Sequence, residues 1–162
     1  MIWAWSFIGG IVGTVFMDFT VGWLTKAGIS SGLEGLLGRW VLGFSRGQFI
    51  IDGHQERLIP STELEDRVAK VFHFLVGGGG VALGYPLVLA ISPGLNIGNP
   101  FLGGFTYGVA TLLVAWFIQY PPFHFGVCGF KAPAGSRPIA ASVTMHVAYG
   151  LGLGLVLQIT AL

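Results

Sequence analysis

Ile2-Trp-Ala-Trp-Ser-Phe-Ile-Gly9-Gly10-Ile-Val-Gly13-Thr14-Val-Phe-Met17-Asp18-Phe-Thr-Val-Gly-Trp-Leu24 is the stretch whose reading decides the fold. It is apolar and longer than the roughly 20 residues that a helix needs to cross a bilayer. One carboxylate, Asp18, is set into it. Gly10, Thr14 and Asp18 recur every fourth residue, so on a helix two small residues and the acid lie along one side. A charged carboxylate facing lipid costs about 2.5–3.5 kcal/mol or more. The side carrying Asp18 is therefore expected to look into protein, and the other apolar segments must supply its surroundings.

The rest of the composition agrees. Of 162 residues, 53% are hydrophobic and only 9% are charged, with a net charge of +1 and a mean hydropathy of +0.76. A soluble domain carries roughly 25% charged residues. The chain is an all-α membrane protein by this reading, and nucleic acid is not an expected partner; the lipid bilayer is. Cys128 is the only cysteine and excludes an intrachain disulfide. Met1 leads straight into apolar residues without a basic segment, so the first span is expected to be retained rather than cleaved.

Four stretches reach spanning length, at about 2–24, 68–91, 100–120 and 138–162, and together they are expected to form one domain over 1–162. The Pro/Gly/Asn run from Ser92 to Pro100 joins the second to the third. Every charged side chain except Asp18 lies within 25–70 or 119–138, including Lys26, Arg39, Arg46, Arg57, Arg67, Lys70, Lys131 and Arg137. Four spans place those two segments on one side of the membrane. The positive-inside rule makes that side cytoplasmic and puts both termini outside. Within the first cytoplasmic loop, Leu33, Leu36, Leu37, Trp40, Val41 and Phe44 repeat at helical spacing. They predict an amphipathic interfacial helix over 32–44 anchored by Trp40, with a re-entrant segment as the alternative. Ser61 to Asp66 offers capping oxygens and acids at the start of the second span.

Small residues mark the faces on which the spans meet, because close approach replaces the missing hydrophobic drive in lipid. They are His73, Gly77, Gly80 and Gly84 in the second span. In the third they are Gly104, Gly108, Thr111, Ala115 and Gln119. In the fourth they are Ser142, His146, Gly150 and Gly154, with Tyr149 alongside. At about 1.5 Å per residue, Asp18, His73 and His146 all fall between roughly 5 and 10 Å to the cytoplasmic side of their spans' midpoints. Asp18, Thr14, His73, Gln119, His146 and Tyr149 are therefore a candidate polar cluster, with Arg39 as the expected counter-ion.

Three readings of that cluster compete. One is a hydrogen-bond network that only holds the bundle in register, as in a structural subunit of a larger membrane complex. Another is a small-ligand, proton or ion site, for which a homo-oligomer is the expected assembly. The third is a haem or metal site using His73 and His146. No nucleophile elbow, paired-carboxylate motif or dinucleotide fingerprint occurs, and Gly77–Gly80 lacks the lysine of a phosphate loop. A non-enzymatic role is expected.

The motifs together resemble a bacterial membrane family, domain of unknown function 2938. The resemblance rests on Gly10-x-x-Gly13-Thr14-x-x-Met17-Asp18, Gly38-Arg39-Trp40 and Arg46-Gly47-x-Phe49. It continues through Glu65 ahead of His73-Phe74 and Gly77, then Gln119-x-Pro121, Gly126 and His146-x-x-Tyr149-Gly150. The chain departs from the family at Ala69-Lys70, where Gly-Trp is usual, and at Ile51-Asp52, where a histidine is usual. The loop after Gly126 departs as well. The resemblance implies a four-span bacterial membrane protein and carries no biochemical activity with it; the inner membrane is the expected location.

Overall fold

The computed structural model describes residues 1–161, so Leu162, the last residue of the expected fourth span, lies outside the described residues. Among the described residues there is helix and no strand. Four helices are long and apolar enough to cross a membrane: Ile2–Lys26, Glu63–Ile91, Pro100–Phe123 and Pro138–Thr160. The second helix starts ahead of its apolar run because Thr62 and Glu65 form a capping box. The Glu65 amide donates to Thr62 Oγ1 at 3.3 Å, and the Thr62 amide donates to Glu65 Oε2 at 2.7 Å. Two of the donors that a helix start leaves unpaired are thereby satisfied.

The chain folds as two compact units. The first comprises Met1–Gly22, His73–Thr111 and the part from Val143 onward. Its packing is set by glycine. A Cβ added at Gly152 would come within 2.6 Å of Gly13 Cα, and one at Gly104 within 2.8 Å of Gly154 Cα. Gly108 meets Gly150 in the same way, and Gly10 lies on the Gly78 carbonyl. Backbone touches backbone at these crossings, which only glycine permits. The third- and fourth-span glycines expected to make this contact do make it.

The second span departs from the expected stripe. Its turns widen to a π-helix over His73–Gly80, which brings Gly78 and Gly79 into the core while Gly77 and Gly80 are only half-buried. Four consecutive glycines each favour the α-helix by about 1 kcal/mol less than alanine does. Pro86 further along has no N–H to return to the preceding turn. Such backbone survives inside a membrane only where other groups satisfy it. Here the Tyr149 hydroxyl donates to the Gly78 carbonyl at 2.7 Å and the Tyr107 hydroxyl to the Val81 carbonyl at 2.6 Å. Thr14 fills the space beside Gly78, where a Cβ would strike its Oγ1.

The second unit comprises Trp23–Phe72 and Leu112–Ser142. Its short helix, Leu36–Gly43, covers the predicted 32–44 segment except for its first four residues and its last. Gly38 rests on the backbone of Glu65 so closely that no Cβ fits. The residues after 119 form a folded element rather than an open loop. Tyr120, Phe123 and Phe125 are buried with Leu36 and Ile51 in one apolar cluster, and the Ile51 amide donates to the Pro122 carbonyl at 2.9 Å. Trp40 is half-buried, packed on Phe44, Phe72 and Phe123, and its indole N–H donates to the Phe49 carbonyl at 2.8 Å.

Candidate functional site

Asp18 is the only Asp, Glu, Lys or Arg in the first unit, and His73 and His146 are its only imidazoles. The structure brings Asp18 and His73 together, with Asp18 Oδ1 3.6 Å from His73 Nε2. That separation gives ionic attraction when the imidazole is protonated and is too long for a direct hydrogen bond. The His73 ring stands edge-on to Phe74 at the entry to the π-helical stretch.

Asp18 is not enclosed as expected. Its side chain is 48% exposed, against 33% for His73, while Gly10 and Thr14 are buried. The reason is helical drift. Each step of four residues overshoots a full turn by about 40°, so Asp18 has rolled about 80° from Gly10 and sits at the edge of the packed face. Among the described residues no hydrogen bond reaches the Asp18 carboxylate.

The other members of the expected cluster are held differently. Thr14 is fully buried, and its hydroxyl donates to the Gly10 carbonyl one turn back at 2.9 Å. Tyr149 is buried, and its hydroxyl serves Gly78. His146 is half-buried on the fourth span, in the same unit as Asp18. Gln119 ends a second π-helical stretch, Ala115–Gln119, and belongs with Arg39 to the other unit. Among the described residues, no three of His, Cys, Asp and Glu come together as metal ligands would.

Arg39 has carboxylates within its own unit: Glu65 and Glu56 hold its guanidinium. Nε and Nη2 donate to the two oxygens of Glu65 at 2.8 and 3.1 Å. Nη1 donates to the Glu56 carbonyl at 2.7 Å and to Glu56 Oε2 at 3.1 Å, and Nη2 also donates to the Pro60 carbonyl at 3.2 Å. The Glu65 hydrogen bond, opposed by burial, holds Arg39 above its already high pKa, so it stays charged. The sequence resemblance marks Glu65, but no local signal marks Glu56 or Tyr107. Pro86 is the one hint that some neighbour must donate to the second span.

Four membrane-length helices, and a helical unit whose only Asp, Glu, Lys or Arg is Asp18, define a small multi-pass membrane protein. Residues 7–160 match the family described as Protein of unknown function (DUF2938), and the chain belongs to that family. No curated protein and no solved structure matches it.

Proposed function

We propose that this is a non-enzymatic protein of the bacterial inner membrane whose working group is the Asp18–His73 pair, a proton-exchanging site within the spans. The observation that carries this reading is the 3.6 Å approach of the unit's only carboxylate to an imidazole. Histidine changes charge close to neutral pH, and intramembrane acids are costly enough that they are kept mainly for such work. The clustering of all eight Lys and Arg residues in 25–70 and 119–138 supports a cytoplasmic position for those segments, with both termini outside.

Infrared difference spectroscopy of the detergent-purified protein across a pH step tests this. The carboxyl band of Asp18, assigned with Asp18→Asn, is expected to change in step with the imidazole bands of His73. His73→Gln is expected to abolish that joint change. An Asp18 band that stays constant while His73 titrates would sink the reading.

A further inference from the structure

We propose that the Asp18–His73 site takes an amphiphilic organic cation, an ammonium-type charge carried on an apolar body, from the outward face of the first span. The inference rests on the reading of this pair as the working site and names its ligand class. Val15 stands three residues before Asp18 and Gly22 four after it, Phe19 stands four after Val15 and three before Gly22, and all four are exposed. Nothing lies within 4 Å of the position a Cβ would take at Gly22, so no other part of this chain covers the face next to the acid. A carboxylate has lone pairs for about four donors, and among the described residues none is used by a hydrogen bond. The site therefore offers one negative charge, unfilled acceptor positions and an apolar, aromatic flank on the same side.

Charge complementarity selects the occupant. A bare divalent metal wants six or more oxygen ligands, or about four of mixed type. Asp18 and His73 are two, with no third His, Cys, Asp or Glu grouped with them among the described residues. A second copy of the chain would present a unit without any Lys or Arg, and its own Asp18 would be a like charge. An organic cation needs few ligands. It brings its own apolar surface for Val15 and Phe19, and the ring of Phe19 adds a cation–π contact.

The test uses the full-length purified protein and two probes of one shape, tetraphenylphosphonium and tetraphenylborate. The expected result is saturable phosphonium binding that falls about tenfold or more in Asp18→Asn, as loss of one ionic attraction in a half-exposed site requires. Asp18→Glu should restore most of it. The borate should show no binding that depends on Asp18. Monodispersity and helical circular dichroism establish that each variant is folded. Equal binding of both probes, or phosphonium binding unchanged in the folded Asp18→Asn, overturns the proposal. So does an Asp18-dependent oligomer without phosphonium binding, which would show that a second copy covers this face. If the infrared bands respond together but phosphonium binding ignores Asp18, the ligand class is wrong and the proton site stands. If the bands do not respond, the site itself is wrong.

Discussion

Exchanging Arg39 for lysine keeps the charge and removes the planar fork, and the structure says what that is worth. The guanidinium uses all of its five N–H groups on Glu65, on Glu56 and on the carbonyls of Glu56 and Pro60. The Arg39 and Glu65 side chains are only 13% and 12% exposed, while that of Glu56 is 30% exposed. Removing one member of a buried ion pair costs about 3–5 kcal/mol, because the other is left without a partner. Part of this group touches water, so the lower end applies, and Arg39→Ala should lose about 3 kcal/mol. A lysine ammonium has three donors at a single point and cannot span both oxygens of Glu65 while reaching two carbonyls. Arg39→Lys should therefore lose about half as much. Unfolding in mixed detergent–SDS micelles measures both, and Glu65→Gln closes a double-mutant cycle in which the pair should couple by about 1.5 kcal/mol or more. An Arg39→Lys protein as stable as the parent would refute the argument. Fork geometry would then not be what holds the Leu36–Gly43 helix to the start of the second span.

Two further perturbations probe the first unit. Tyr149→Phe removes the donor to the Gly78 carbonyl and should cost about 1 kcal/mol in the same micelle assay, near the upper range for hydrogen bonds between membrane helices. A neutral result would mean that the π-helical stretch needs no outside donor. Gly152→Ala pushes a methyl group to 2.6 Å from Gly13 Cα. It should destabilise by about 2–3 kcal/mol, because backbone cannot yield as a side-chain tip can. Gly22→Ala, with open space around it, should not destabilise at all; equal losses at both positions would refute the packing account.

The spans were legible because a bilayer imposes length and hydropathy on a single segment, with no tertiary information required. Gly104, Gly108, Gly150 and Gly154 were legible for a similar reason: regular α-helix carries their spacing faithfully into space. Where the helix is not α, that inference fails. The stripe at Gly77 and Gly80 shifts to Gly78 and Gly79 because the wide turns change which residue faces inward. Drift accounts for Asp18 in the same way, since a spacing of four holds a face for one turn and loses it over two. The partners of Arg39 come from Glu56 and Glu65, well apart in sequence, and no periodicity encodes such a meeting. The segment after Gln119 read as a loop because glycine and proline interrupt it. Its aromatic residues nevertheless build a core of their own with Leu36 and Ile51.

The π-helical stretch also fixes how the second span tolerates insertion and deletion. A wide turn amounts to one residue more than the α-helix would hold, so it absorbs that residue without turning one side of the helix against the other. Deleting one of those glycines leaves the composition nearly untouched and lets the turns close toward α-helix, with His73 and Tyr85 kept near their present relative directions. A deletion in regular α-helix instead turns the two flanks by about 100° against each other. The glycine run is therefore slack as much as spacer: it is a place where the second span can lose a residue and still address the imidazole and the tyrosine as before.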